Sequence, residues 1–158
     1  MKTVPRRLQR LVLKMWSEED FAQGFKEGID CAMGVLHEVA DEMGLTSEEA
    51  YRLSSCFGVG MMQGSVCGAV SAAFMAIGHR YGNSGPNQMD QKGFVISKRE
   101  EFLTKFRAKF GDDVTCPGLL KLDFRKPEEA QKIRESGVTF TLCPKICFET
   151  MKIIKEMI

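Results

Sequence analysis

A single all-α domain, a bundle of about five or six helices around a central helix rich in small residues, is what the sequence predicts. Three observations predict it. Helix-start signals recur at Ser17, Thr46, Ser97 and Pro144, each ahead of apolar residues spaced three and four apart. The one strand-like run, Val138 to Leu142, is five residues long and offers nothing on which to build a sheet. Residues 64–78 carry small side chains at ten of fifteen positions. Their ridge of Gly64, Gly68, Ala72 and Ala76 would let a neighbour approach closely, while Val66, Val70, Phe74 and Ile77 make the segment apolar nearly all round, as a buried helix is. With 158 residues, 44% of them hydrophobic, the chain suits one domain with a real core, spanning residues 1–158.

Taken in order, Leu8, Leu11, Val12 and Met15 alternate with Arg6, Arg7, Arg10 and Lys14, which predicts a short basic amphipathic helix over residues 1–16. Ser17 with the acidic run Glu18, Glu19 and Asp20 opens a second helix, whose stripe of Phe21, Phe25, Ala32, Val35, Leu36 and Val39 runs to about Gly44 and puts Cys31 in its middle. Thr46 and Glu49 form a capping box for a helix through Ala50 and Leu53, interrupted by Gly58, Gly60 and Gly64. The buried central helix follows, with Cys67 projecting from it. Residues 81–96 read as a loop excursion, rich in Gly, Asn, Ser and Pro at its start. Ser97 and Glu100 then cap a helix bearing Phe102, Phe106 and Phe110, stopped by Gly111. Cys116 falls after it, and Pro117 biases Cys116 away from helical geometry. Residues 127–136 form a short helix ended by Gly137, and Pro144 fits the first turn of a last helix carrying Ile146, Cys147, Met151 and Ile154.

Composition narrows the function. The formal charge of 22 − 21 = +1 gives no global basic field, so nucleic acid is a poor partner. The longest nearly apolar run, residues 66–78, is too short to cross a bilayer, which needs about 20 residues. No cleavable leader pattern is present, and a cytoplasmic location is expected. GxSxG, HExxH and phosphate-loop patterns are missing, so hydrolysis and phosphoryl transfer have no support. The glycines of residues 58–64 follow a helix rather than a strand and read as a turn with close packing. The ten methionines read mainly as core filling.

Six cysteines, at 31, 56, 67, 116, 143 and 147, are the anomaly. In a reducing cytosol they point to metal or redox chemistry. No CxxC and no CxxCH occurs, which speaks against zinc ribbons, thioredoxin sites, ferredoxin-type clusters and c-type haem attachment. Any thiol site must therefore be assembled by the fold. Cys143, just before Pro144 at a helix start, is the best thiolate candidate, because free N–H groups and the helix dipole favour an anion there. Cys147 lies one turn on and reads as core, or as sharing a metal with Cys143; Cys56 reads as a small buried hydrophobe. His37 and His79 read as a packing or surface side chain and a helix-end cap respectively.

The order Cys31, Cys67, Cys116, Cys143, with GMMQGSVCGAVSAAFMAIGHRYG around Cys67, DCAMGVLHEVADEMGL around Cys31, FLTKFRAKFGDDVTC and CPKICFETMKII, resembles the C-GCAxxG-C-C family of redox-active proteins. The likeness covers most of the chain. It departs inside the GCAxxG block, where this sequence has Val66, Cys67, Gly68 and Ala69, and Cys56 and Cys147 match no family cysteine. The resemblance implies a redox or metal role for Cys31, Cys67, Cys116 and Cys143, with an iron–sulfur cluster or, alternatively, zinc as the group they would hold. It implies no substrate and does not decide whether the protein is an enzyme. The leading expectation is a metal- or cluster-binding protein that transfers electrons to an unidentified redox partner. The alternatives are a metal-free thiol–disulfide protein, in which Cys143 exchanges with Cys67 or Cys116, and a helical interaction module that forms a homodimer through its basic N-terminal helix.

Overall fold

The structure, a computed structural model, describes residues 15–158, so the basic helix expected over residues 1–16 lies almost wholly outside the described residues. The described residues form an all-α fold of eight α-helices, with no strand among them. These are α1 (Glu18–Lys26), α2 (Cys31–Glu38), α3 (Ser47–Ser54), α4 (Gly68–Tyr81), α5 (Met89–Phe110), α6 (Cys116–Leu120), α7 (Pro127–Ser136) and α8 (Leu142–Met157).

The helix expected from residue 17 to about 44 is two helices. Gly28, at φ +85, ends α1 in a Schellman motif: the Ile29 N–H bonds the Gly24 carbonyl at 2.8 Å and the Gly28 N–H bonds that of Phe25. Asp30 then caps α2, its Oδ1 accepting from the Met33 N–H at 3.0 Å. Cys31 consequently opens a helix rather than sitting mid-helix. The two capping boxes at Ser17 with Asp20 and Thr46 with Glu49 are formed.

Two other starts differ from expectation. The central helix begins at Gly68, so Cys67 is its N-cap and not a residue within it. Helix α5 begins at Met89, eight residues before Ser97, so the excursion is shorter than residues 81–96. Its first turns leave Met89, Phe94 and Ile96 exposed, which erased the apolar stripe that periodicity relies on. Local contacts hold them instead: Phe94 packs edge-on to Tyr81 with ring centres 5.6 Å apart, and Gln88 bonds Ser84. Ser97 lies mid-helix and donates its hydroxyl to the Phe94 carbonyl. Pro117 does not keep Cys116 out of a helix, because Thr115 caps α6 through the Gly118 N–H at 3.1 Å and a proline suits the first turn. The strand-like residues 138–142 form a 3₁₀ turn (Val138–Phe140) and the start of α8.

Helix α4 is the centre. It packs on α2, α5 and α8, and Ala69, Val70, Ala72, Ala73, Ala76 and Ile77 are buried. Phe102 and Phe106 of α5 and Ile146, Met151 and Ile154 of α8 fill the space around this narrow helix. Small side chains on α4 let large ones close on it, the complementarity that dense cores require. The tightest approach is at Gly68, where an added Cβ would lie 2.9 Å from the Phe57 carbonyl oxygen and 3.0 Å from the Ala32 nitrogen. Backbone atoms cannot yield as a flexible side chain can.

Two glycines of α4 should therefore respond oppositely to alanine. Gly68→Ala overpacks the α2–α4 contact and should destabilise the fold by about 1–3 kcal/mol. Gly78→Ala meets nothing within 4 Å and should stabilise it by about 0.5–1 kcal/mol through lower unfolded-state entropy. Thermal unfolding of both variants checks the pair; equal shifts would contradict this packing.

Candidate thiol centre

Four helix beginnings bring four cysteines to one place. Cys31 is the first residue of α2, Cys67 the N-cap of α4, Cys116 the first residue of α6 and Cys143 the second of α8. The segments before α4 and α6 are clamped together. Val66 and Thr115 form an isolated antiparallel bridge, in which the Cys67 N–H bonds the Val114 carbonyl and the Cys116 N–H bonds that of Ser65, both at 2.9 Å. Asp113 supports the clamp by accepting from the Thr115 N–H and hydroxyl.

The four sulfurs line a single cavity of about 20 Å³, walled otherwise by Leu119, Leu120 and Ile146. No charged side chain lines it. A cavity this size admits little more than one water-sized group. Cys67 is buried, whereas Cys31, Cys116 and Cys143 are partly exposed.

Charge in this apolar setting falls on one sulfur. The thiols of Cys147 and Cys67 donate to Cys31 and, with the N–H groups of Val59 and Cys31 itself, hold it well below the ordinary thiol range. Its position at the start of α2 acts in the same direction. Cys67 is pushed up by its hydrogen bond to Cys31 and by burial. Burial, followed by the negative charge at Cys31, pushes Cys116 up to about 12 and Cys143 higher still. Cys143, the position expected to favour a thiolate, is thus pushed up, and Cys31 is the sulfur held low. The helix start that favours an anion at Cys143 is outweighed by an apolar wall and an adjacent negative sulfur.

Two participants lie outside the four-cysteine set. Cys147 is fully buried in the core, as its apolar stripe implies, yet its thiol also reaches Cys31, with Sγ 4.0 Å from the Cys31 carbonyl oxygen. Its place four residues after Cys143 gives the expected choice between core and a site shared with Cys143, and its approach to Cys31 is the part the spacing does not show. Val59 belongs to a left-handed turn, with φ of 53, 61, 55 and 57 at Val59, Gly60, Met61 and Met62. Such geometry in a β-branched residue is strained, and no local sequence pattern announces it. The turn reading of residues 58–64 agrees with this segment. Gly58 packs so closely on Asp30 that a Cβ would meet its carboxylate at 2.1 Å. Met61 and Met62 are exposed here, so the methionines are not all core.

The other flagged residues stand apart. Cys56 is exposed rather than buried, because α3 ends at Ser54 and the chain turns outward. His37 stacks on Tyr51 with ring centres 4.9 Å apart and touches Trp16, a packing role. His79 lies exposed in the last turn of α4.

A family model described as "Putative redox-active protein (C_GCAxxG_C_C)" matches residues 29–157. The chain belongs to that family. The match begins just before Cys31 and takes in all six cysteines. No curated protein and no solved structure matches the chain. No helix among the described residues is long and apolar enough to cross a membrane.

In kind and number, the four cavity sulfurs of this C_GCAxxG_C_C chain suit a thiolate-bound metal, for which Cys₄ sets are usual. As they stand among the described residues, no three His, Cys, Asp or Glu side chains are drawn together as a preformed single-ion site. The fit therefore lies in donor chemistry and in four thiols sharing one cavity, whose volume of about 20 Å³ suits a single ion, so a cluster would require its walls to move apart.

Asp30, next to Cys31, gives a pH prediction. Burial lifts its carboxyl from 3.8 to about 6, with the negative charge at Cys31 adding to the rise. A folded value above the unfolded one means folding favours the protonated form, so its contribution is full below about 4 and is lost as pH rises through 6. Asp30→Asn keeps an oxygen to cap Met33 and removes the charge. The variant should melt higher than wild type at pH 7, with the gap closing towards pH 4. A gap independent of pH would refute the assignment.

Proposed function

We propose that this protein is an electron-transfer protein that holds an iron–sulfur cluster on Cys31, Cys67, Cys116 and Cys143; zinc on the same four sulfurs would instead make the site structural, with no electron to carry. One observation carries the reading: four thiols from four separate helix starts line one apolar cavity that has no charged wall. Four thiolates cannot coexist there unaided, and accordingly one sulfur is held low while its neighbours are pushed up. A bound metal supplies the positive charge that allows all four to ionise. When bound, an iron–sulfur cluster would supply one-electron transfer.

The chain's own residues do the rest. The N-terminal ends of α2, α4 and α8 direct partial positive charge at the sulfurs, which favours a negatively charged assembly. Leu119, Leu120 and Ile146 keep water away from them, and lower solvent access is one of the levers on reduction potential. The Val59 N–H, pointing at the Cys31 sulfur, is the kind of donor that raises such a potential.

A second reading, metal-free thiol–disulfide chemistry, is favoured by a different observation. Cys31 is in hydrogen-bond contact with two other thiols, and a thiolate beside thiols is the starting arrangement for exchange.

Anaerobic purification with a visible spectrum and iron, zinc and acid-labile sulfide analysis separates the two. The expected result for electron transfer is coloured protein with iron and sulfide, lost in Cys31→Ser, Cys67→Ser and Cys143→Ser and kept in Cys56→Ser. Metal-free wild type, or cavity variants holding the same metal as wild type, would overturn the metal reading.

A further inference from the structure

Charge is spread unevenly along this chain. Residues 17–54 hold ten of its 21 acidic side chains and two of its 22 basic ones, whereas residues 1–14 hold five basic side chains and no acidic one. The fold then concentrates the acidic part. The first turn of α1, the last residue of α2, the 3₁₀ turn Asp41–Met43 and the first turn of α3 carry eight of the ten carboxylates. A row of three rings ties these ends together. Trp16 lies against His37 with ring centres 5.1 Å apart, and His37 stacks on Tyr51 of α3. Lys155 bonds Glu42 and Arg52 bonds Glu48, yet the described part of this face stays net negative.

Trp16 also fixes where the chain enters the fold. Its ring is wedged between α1 and α2, where a Cβ added at Gly24 or Gly34 would meet it at 3.1 or 3.4 Å, and its N–H donates to the Glu38 carboxylate at 3.1 Å. Arg6, Arg7, Arg10 and Lys14 precede it by two to ten residues. As the helix that the sequence predicts, that stretch would keep all four within about 15 Å of Trp16. An open side of α3 lies close by. This helix packs on α2 and leaves Glu48, Glu49 and Leu53 exposed, Leu53 by 57%.

We infer that this acidic face is the docking surface for the chain's own basic segment, residues 2–14, held by its arginines and lysines over the carboxylates and by Leu8 and Leu11 against the side of α3 that carries Leu53. Clustered carboxylates repel one another, and a cationic segment relieves that repulsion. Entry at Trp16 selects the occupant. A segment tethered there meets the face at an effective concentration of about a millimolar, well above that of a second copy or a basic partner at micromolar protein. Docked in this way, it masks the face from other basic partners.

Limited proteolysis of the full chain with chymotrypsin tests this, read as the rate of cleavage after Leu8 and Leu11 and followed by mass. At low salt the wild-type segment should be cut about tenfold more slowly than that of a variant carrying Asp41→Lys and Glu48→Lys. The difference should vanish at about 1 M salt, where screening is nearly complete within a few ångströms. Arg6→Gln, Arg7→Gln and Arg10→Gln together should open the segment to the same degree, whereas lysine at the same three positions should keep it protected. Glu128→Lys on α7, a charge reversal outside the face, should change nothing. Emission of Trp16, the chain's only tryptophan, shows whether each variant keeps the entry point intact. Equal cleavage of wild type and both charge variants, or protection indifferent to salt, would overturn the assignment. Protection that grows with protein concentration would also overturn it, by making the occupant the segment of a second copy. The salt profile of the unaltered chain decides the matter even if the face variant does not fold.

Discussion

The approach of α2 to α4 at Ala32 and Gly68 is the contact on which the rest depends. With no side chain at 68, the backbones come close enough for the Gly68 Cα to face the Ala32 nitrogen and the Phe57 carbonyl. That closeness places the first residue of α2 beside the N-cap of α4, which is to say Cys31 beside Cys67. Everything else at the centre is arranged around this pair. The bridge between Val66 and Thr115 adds Cys116, and the packing of α8 on both helices adds Cys143 and Cys147. The helix bundle is thus a device for bringing together sulfurs that are far apart in sequence, without the short CxxC turn that many metal sites use.

Once the sulfurs are gathered, electrostatics decides what each does. A set of thiols in an apolar wall behaves as one titrating unit in which the first negative charge suppresses the others. The first charge goes to Cys31 because it alone receives hydrogen bonds from two thiols and from the Val59 N–H. The strained turn at residues 59–62 is consistent with this role: a β-branched residue held at positive φ is destabilising by itself, and strain of that kind persists where surrounding structure fixes it near a functional site. The same hub serves both readings of the centre. In the metal reading the ion would neutralise that charge; in the thiol–disulfide reading Cys31 would be the attacking sulfur.

Much of the fold was legible in the sequence because helix ends are local events. Ser17, Thr46, Gly137 and Pro144 mark true boundaries, and the small-residue stretch around Ala72 is the buried centre it resembles. The errors fell where local and tertiary signals compete. Gly28 was hidden inside an unbroken apolar periodicity that continues across two helices. The start of α5 carries exposed Phe94 and Ile96, and so lacks the stripe that would have revealed it. The four motif cysteines could be named from their order, but not their charge. Helix-start position alone pointed to Cys143, whereas the deciding quantities, hydrogen bonds from distant thiols and burial by Leu119, Leu120 and Ile146, exist only after folding.

The departure from the family pattern around Cys67 has a physical reading of its own. Where the GCAxxG block would place glycine, this chain has Val66, and Val66 lies in the extended bridge with Thr115, where a β-branched residue is favoured rather than merely tolerated. Where the block would place alanine, it has Gly68, the one position at which a Cβ would strike backbone from both α2 and the turn after α3. The variant block thus moves its glycine two positions, from before the cysteine to after it: bulk is accepted before Cys67, where the chain is clamped in extended form, and forbidden after it, where two helices touch. Cys67 itself is anchored between these two restraints, its N–H on Val114 and its helix against Ala32, so the altered motif keeps the sulfur in the cavity by different local means.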